Sequence, residues 1–210
     1  MLWALVPLKQ LALSKRRLET VLEPGERQGL ALAMARDVLT VLRQHAAIDG
    51  VLLVSRTPEA RQLAKDCGAV LFAESPNADL SEALTEASRY VVREYRASAT
   101  LVVPSDVPLI RNDDIEAVLN QRDGITLVPD ISEEGTNALL MSPPNLIEYV
   151  FGEHSFRHHS ESSRAAGVSP QIVRNKHIAR DIDVPDDLAA LLGDLPQSAT
   201  RDYLKSNGLV

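Results

Sequence analysis

Residues 100–109 read Thr-Leu-Val-Val-Pro-Ser-Asp-Val-Pro-Leu, an apolar run that leads to an aspartate between two prolines. The segment 100–103 has the continuous apolar character of a strand buried on both faces of a sheet. Asp106 follows that strand closely, and burying a carboxylate costs free energy unless it is hydrogen-bonded or faces a cation. The stretch therefore predicts a buried strand with a functional acid at its end.

On either side of this stretch, similar apolar runs alternate with segments of helical periodicity, which predicts a mostly parallel sheet joined by right-handed crossovers. The fold class is thus α/β: a single domain over residues 1–210, with a twisted sheet and helices on both faces. Residues 195–210 form a tail or packing helix, on the body of the chain or on a second subunit. The predicted strands are 2–6, 51–55, 69–73, 100–103, 125–129, 137–142 and 171–174. The predicted helices are 26–45, 57–67 with a stop at Gly68, one capped by Asp79 and Glu82, 155–166 and 186–192.

Composition excludes several classes of protein. The formal net charge is −7 and no basic stripe runs along the chain, which argues against a nucleic-acid partner. Cys67 is the only cysteine, so an intrachain disulfide is impossible and a reducing compartment fits. No apolar run approaches the roughly 18–20 residues that span a bilayer, so we expect no membrane association and a cytoplasmic location.

A basic cluster follows the first predicted strand, at Lys9, Lys15, Arg16 and Arg17. Ligands of open parallel sheets bind at the carboxyl ends of the strands, where such a cluster could neutralise a triphosphate. A solvated basic helix face explains the cluster equally well. The chain contains neither a Walker A sequence nor a G-x-G-x-x-G, which disfavours P-loop enzymes and dinucleotide-dependent dehydrogenases.

A second acidic segment lies near the end of the chain. Asp181 and Asp183 alternate along an extended stretch and so point to the same side. Mg²⁺ prefers one or two carboxylates together with phosphate oxygens, so Asp106 with Asp183 or Asp181 predicts a magnesium site. The alternative for Asp106 is a helix cap. The next helix, however, already has nearer caps in Asn112, Asp113 and Asp114, while Asp186 and Asp187 fit the first turn of another.

Two glycine turns are candidates for binding a second anion. One contains Gly135, Thr136 and Asn137; the other contains Gly152 and Ser155, the latter a candidate helix cap with free N–H groups. Taken alone, each stretch is also explained by an ordinary glycine turn that binds no ligand, the second with Ser155 as a routine helix cap.

The histidines and the cysteine predict no site. His158 and His159 are adjacent and point in different directions, so they do not form a zinc site. We expect His45 and His177 at the surface and Cys67 in a structural role.

Together these segments resemble the 2-phospho-L-lactate guanylyltransferase family of coenzyme F-420 biosynthesis, over about residues 5–191. The most specific stretches are Gly135 to Leu140 and Phe151-Gly152 with Ser155, Phe156 and His159. The other landmarks are Val6 to Lys9, Lys15 with Arg17 and Leu18, Leu80 with Ala83 and Leu84, Pro104 to Leu109, and Asp181 to Asp183. Ser81 replaces an expected Asn and Val184 an expected capping Thr.

The resemblance implies a nucleotide-diphospho-sugar transferase-like fold and a set of roles. Mg²⁺ would be the cofactor, and the partners GTP and 2-phospho-L-lactate, phosphoenolpyruvate or 3-phospho-D-glycerate, with release of pyrophosphate. A CTP-dependent or sugar-phosphate nucleotidyltransferase and a non-catalytic nucleotide-binding protein are the alternatives, and a homodimer is left open. The implied site residues are Lys9, Lys15, Arg17 and Asp106 for catalysis; Pro7 and Ser105 with the three cations for the nucleotide; Thr136, Asn137, Gly152 and Ser155 for the acceptor; and Asp106, Asp183 and Asp181 for the metal.

Overall fold

The computed structural model describes residues 1–8, 16–120 and 123–209, which form one seven-stranded sheet with helices on both faces. A 3-10 turn lies at Arg16–Leu18. The strands are β1 (Leu2–Pro7), β2 (Gly50–Val54), β3 (Val70–Phe72), β4 (Ala99–Val102), β5 (Gly124–Pro129), β6 (Thr136–Ser142) and β7 (Gln171–Ile172). The helices are α1 (Pro24–Gln44), α2 (Pro58–Cys67), α3 (Leu80–Tyr95), α4 (Asn112–Leu119), α5 (Ser155–Ala165), α6 (Pro185–Asp194) and α7 (Ala199–Ser206).

The sheet has the strand order β3-β2-β1-β4-β6-β5-β7. β1 pairs in parallel with β2 and β4, β2 with β3, and β5 with β7. β6 runs antiparallel to both of its neighbours, β4 and β5. The predicted α/β class with a mostly parallel sheet is therefore confirmed, and the carboxyl ends of β1 to β4 share one edge.

The apolar runs are explained by burial on both faces of the sheet. In β1, Ala4 and Val6 pack with α1, α2 and α4 on one side. Trp3 and Leu5, the alternate residues, pack with α3 on the other. Because both sets lie in an apolar layer, the central strand is apolar at consecutive positions.

Local signals in the sequence place the helix ends well. Asp79 caps α3 as predicted: its Oδ1 accepts from the Glu82 N–H at 2.9 Å, and Glu82 Oε2 accepts from the Asp79 N–H at 2.9 Å. Gly68 ends α2 with φ +66°, a left-handed conformation in which glycine avoids a steric penalty. The prediction for β7 was too long, because only Gln171–Ile172 pairs with β5.

The C-terminal helix α7 packs against α1 of the same chain. Asp37 accepts from the N–H groups of Ala199 and Thr200 at 2.8 and 2.9 Å, and Leu204 is buried. Tyr203 packs so tightly over Gly29 that a Cβ at that position would collide with the tyrosine ring. None of the helices in the described ranges has both the length and the hydropathy of a membrane span.

Two histidine predictions were wrong. His45 is only 5% exposed, and its Nε2 lies 3.2 Å from a Glu116 carboxylate oxygen. His177 is half-buried, with Nδ1 2.9 Å from the carboxylate of Asp114. Each ring finds an acidic partner across the fold, which local sequence does not reveal.

Candidate active site

A cleft with a cavity volume of about 690 Å³ lies along the carboxyl edge of β1 to β4. Residues that end or follow these strands line it: Pro7 from β1, Arg56 after β2, Glu74 after β3, and Ser105 and Asp106 after β4. Parallel strands deliver their following loops to the same edge, which is why segments far apart in sequence meet there.

Three carboxylates converge at one end of this edge. Asp106, Asp181 and Asp183 each offer an oxygen within 4.8 Å of the others. The backbone holds them together, since the Ile182 N–H donates to the Asp106 carbonyl at 3.2 Å. Asp187, in the first turn of α6, accepts from the Asp183 N–H at 2.9 Å and so fixes the second acidic segment from its other side. We name Asp106, Asp181 and Asp183 the acid triad.

The electrostatics of the acid triad suit a divalent cation. Burial raises the pKa of Asp181 above its usual value, and the neighbouring Asp106 and then Asp183 raise it further, against a lowering by Asn137. Asn137 Nδ2 lies 3.1 Å from Asp181 Oδ1 and donates to it. Hard cations such as Mg²⁺ take carboxylate oxygens as ligands and relieve this kind of repulsion. That the triad binds Mg²⁺ stays a prediction.

The predicted phosphate-binding cations fall partly outside the described residues. Lys9 and Lys15 lie in the segment 9–15, which the structure does not describe. Arg17 is exposed in the 3-10 turn, beside Leu18, which is fully buried against α1 and α6. Leu8 continues from β1 with its N–H donating to the Val54 carbonyl at 2.9 Å. Leu8 and Leu18, which lie on the two sides of the undescribed segment, are therefore both held in place by contacts with other elements.

The two glycine turns come together, but not as the sequence predicted. Ser155 is the first residue of α5 and not its cap; the cap position is His154, at φ 58°. The Ser155 hydroxyl accepts instead from the Thr136 N–H at 3.0 Å, with both residues buried. Gly152 has φ +125° and open space where a Cβ would lie, so it is the backbone conformation that favours glycine there.

His159 completes this arrangement, and its role was missed from the sequence. Its Nε2 accepts from the Val150 N–H at 3.1 Å, so Nδ1 carries the proton and donates to Thr136 Oγ1 at 3.0 Å. Burial, with a smaller contribution from His158, lowers the pKa of His159 to about 4. The ring is therefore neutral near pH 7. The available signal was its position four residues after Ser155, one helical turn away on the same face.

The region of Thr136, Ser155 and His159, which we name the hydroxyl–imidazole set, adjoins the acid triad through Asn137. Asn137 follows Thr136 in β6 and donates to the Ile178 carbonyl at 3.0 Å as well as to Asp181. Thr136 contacts His159 of α5, whereas Asn137 contacts Ile178 and Asp181, so one dipeptide contributes to both regions.

Comparison with known proteins gives the family of the chain's relatives. A family model described as "Guanylyl transferase CofC like" matches residues 2–210. Phosphoenolpyruvate guanylyltransferase of Sphaerobacter thermophilus is 38% identical, over 95% of this chain and 96% of the relative. The enzyme of the same name from Roseiflexus castenholzii is 38% identical, over 99% and 97%. The 2-phospho-L-lactate guanylyltransferase of Methanothermobacter thermautotrophicus is 29% identical, over 96% and 89%.

Solved structures agree on the fold. A putative nucleotide-diphospho-sugar transferase from Desulfovibrio desulfuricans superposes with a TM-score of 0.79 at 17% identity, covering 99% of this chain and 95% of that one. A nucleotidyl transferase from Methanothermobacter gives a TM-score of 0.68 at 16% identity, covering 99% of both chains. At such identities the likeness concerns architecture alone.

Proposed function

Since the chain belongs to the family of CofC-like guanylyl transferases, we propose that it transfers GMP from GTP to a three-carbon phosphorylated acid and releases pyrophosphate. The observation that carries the proposal is the acid triad at the edge of the nucleotide-sized cleft. The acceptor is one of phosphoenolpyruvate, 2-phospho-L-lactate and 3-phospho-D-glycerate. We put phosphoenolpyruvate first, because the two relatives at 38% identity are named for it. The reaction would supply a step of deazaflavin coenzyme biosynthesis, as the resemblance implies.

The reaction depends more on offsetting the repulsion between negative charges than on proton transfer. An oxygen of the acceptor phosphate attacks the α-phosphorus of GTP, and the bond from that phosphorus to the bridging oxygen of pyrophosphate breaks. The attacking oxygen is already anionic near neutral pH, so no side chain has to take a proton from it. The difficulty is that two polyanions repel each other on approach, and positioned positive charge offsets that repulsion.

Two groups of residues in this chain would supply that positive charge. Asp106, Asp181 and Asp183 would hold Mg²⁺, which when bound neutralises phosphate charge and stabilises the charge that develops on the leaving oxygen. Lys9, Lys15 and Arg17 would bind the triphosphate from the β1 side, with Pro7 and Ser105 along the cleft wall.

The acceptor would bind at the second region, through Thr136, Asn137, Gly152 and Ser155. Because His159 donates to Thr136 Oγ1, the hydroxyl proton of Thr136 is directed elsewhere and can donate to an anion. Ser155 accepts from the Thr136 N–H and so also keeps its hydroxyl proton for donation. Two hydroxyl donors beside a glycine with φ +125° suit a phosphate or a carboxylate.

The test is pyrophosphate release from GTP and Mg²⁺ with each of the three acids in turn, beside a blank without acceptor. We expect release with one acid and none in the blank. The same panel is repeated with CTP and ATP at a fixed acceptor concentration. Absence of release with all three acids, from protein shown to be folded by circular dichroism, would contradict the proposal, and preference for CTP would replace guanylyl transfer by cytidylyl transfer.

A further inference from the structure

At the far end of the cleft from the acid triad lie Arg56, two residues after β2, and Glu74, two residues after β3. In the strand order β3-β2-β1-β4, these two strands lie beyond β1 as seen from Asp106. Neighbouring strands are about 4.8 Å apart, so the end of β3 lies about 14 Å from that of β4. That span is comparable to the reach of a nucleotide from its α-phosphate to the far edge of its base.

Glu74 is unusual among the acids of the described residues. Its Oε2 is buried and meets no hydrogen-bond partner there. Burial raises the pKa of Glu74, against smaller lowering by its own backbone N–H and by Arg56. Buried polar atoms nearly always have partners, so an orphaned carboxylate oxygen in a cleft indicates a donor that comes from elsewhere.

The loop around Glu74 is fixed by its own hydrogen bonds. Glu86 accepts from the Ser75 N–H at 2.9 Å, and the Ser75 carbonyl accepts from the Ala78 N–H at 3.1 Å. The next residue, Asp79, starts α3 through the capping box described above. The turn that carries Glu74 is therefore ordered.

The chemistry of this end of the cleft matches guanine. Guanine carries two adjacent donors, N1–H and the 2-amino group, which a carboxylate can accept together. On the neighbouring edge it carries the acceptors O6 and N7, which arginine binds as a fork. Adenine and cytosine do not offer this pair of donors. Apolar side chains of Pro76, Ala78 and Leu80 line the same part of the cleft and suit the faces of a flat ring.

We propose that Glu74 selects guanine by accepting from N1–H and the 2-amino group, while Arg56 donates to O6 and N7. The inference rests on the proposed function, because it requires the nucleotide of that reaction to lie along this cleft. It adds the residues that choose the base to those that hold the phosphates.

The decisive variant is Glu74→Gln, measured by direct titration with GTP, inosine triphosphate and xanthosine triphosphate in the presence of Mg²⁺. Xanthine has a carbonyl where guanine has its 2-amino group. A glutamine amide can donate to that carbonyl and accept from N1–H. We expect Glu74→Gln to lose about tenfold to a hundredfold in GTP affinity and to gain in xanthosine triphosphate affinity, which reverses the order of the two nucleotides. Glu94→Gln, an exposed residue at the other end of α3, is the matched control and should keep the wild-type order.

Arg56→Gln gives a second, different pattern. All three nucleotides share O6 and N7, so this variant should weaken all three by a similar factor and leave their order unchanged. Retention of the wild-type order by folded Glu74→Gln would overturn the inference. If Glu74→Gln does not fold, the wild-type protein provides the test, because inosine triphosphate lacks the 2-amino group. Equal wild-type affinity for GTP and inosine triphosphate would overturn the inference.

Failure of this inference is distinguishable from failure of the proposed function. Titration needs no acceptor, so base selection is measured whether or not pyrophosphate is released. Release from GTP by a wild type whose preference does not depend on Glu74 would leave the reaction standing and remove Glu74 as the selecting residue. Guanine-selective binding that reverses in Glu74→Gln, without pyrophosphate release on any acid, would support Glu74 as the selecting residue and contradict the proposed reaction.

Discussion

The acid triad and the hydroxyl–imidazole set are adjacent regions with contrasting electrostatics: like charges cluster in the first, and neutral donors and acceptors pair in the second. In the first, three carboxylates lie within 4.8 Å of one another, and two of them raise the pKa of the third. In the second, the Thr136 N–H, the Val150 N–H and the His159 Nδ1–H each find an acceptor at 3.0–3.1 Å, all without formal charge. A region of repelling charges is stabilised by a ligand, whereas a region with matched donors and acceptors stabilises the fold.

The comparison predicts that variants of the two regions fail differently, and Asp106→Asn should give the largest effect. Loss of one charge from the acid triad should lower turnover by about a hundredfold to a thousandfold, as expected when a charge-stabilising group is removed. The free energy of unfolding should stay within about 1 kcal/mol of wild type, because the substitution is isosteric and removes a repulsion. Steady-state pyrophosphate release and urea titration measure the two quantities. Asp186→Asn, exposed in the first turn of α6, is the control, and a fully active Asp106→Asn would remove Asp106 from the mechanism.

In the other region, His159→Leu should act on stability. The substitution leaves the Val150 N–H and the Thr136 hydroxyl without their buried partner, which should cost about 3 kcal/mol of unfolding free energy. Urea denaturation measures it. His158→Ala, next in sequence but exposed, should change stability by less than about 0.5 kcal/mol. Equal effects of the two variants would show that the His159 hydrogen bonds contribute nothing.

The pH dependence of stability sharpens the same contrast. The pKa of His159 is about 4 in the fold, against 6.5 as its ordinary value, so the unfolded chain binds the extra proton first as pH falls. Stability from this residue is therefore complete above pH 6.5 and decreases as pH falls towards 4. Between pH 7 and pH 5 the loss should be about 2 kcal/mol. The difference between wild type and His159→Leu, measured by urea titration across that range, isolates it from the carboxylates; a constant difference would contradict the prediction.

The smallest effect concerns a residue that supports the acid triad from outside. Asp187 accepts from the N–H groups of Asp183 and Val184, both at 2.9 Å. Asp187→Ala should cost about 1 kcal/mol of stability through the lost cap. It should also weaken Mg²⁺ affinity by about tenfold, because groups that position metal ligands affect binding in that range. Isothermal titration with Mg²⁺ tests this beside Asp186→Ala, and unchanged affinity would show that the triad holds its shape without Asp187.

Much of the fold could be predicted because its signals are local. The apolar runs predict β1 to β4, since a strand covered on both faces must be apolar throughout, and Asp79 and Gly68 mark helix ends through their own backbone chemistry. The antiparallel direction of β6 was not predicted, because a strand has the same apolar pattern in either direction. The helix cap assigned to Ser155 was wrong for a related reason: the hydroxyl finds its partner in Thr136, 19 positions away.

The same distinction between local signals and long-range contacts applies to the candidate site. The strand-end position of Asp106 and the alternation of Asp181 and Asp183 were readable from sequence and made them candidates for one cluster. Arg56 and Glu74 were not recognised, and His159 was recognised only as a landmark of the family resemblance. The environments of all three depend on residues brought in by other elements. Burial of His159 and the orphaned oxygen of Glu74 are properties of a packed molecule and have no local pattern.

Sequence alone is sufficient to predict the α/β class, most element positions, the order of the strand-end residues along the chain and the resemblance to guanylyltransferases. Those properties follow from periodicity, capping and motif, each of which spans a few consecutive residues. The folded molecule was needed for three further properties: the strand order β3-β2-β1-β4-β6-β5-β7, the proximity of Asp106 to Asp181 and Asp183, and the tautomer of His159. These depend on contacts between segments tens of residues apart, where the energies of burial and hydrogen bonding are set by neighbours that local sequence does not specify.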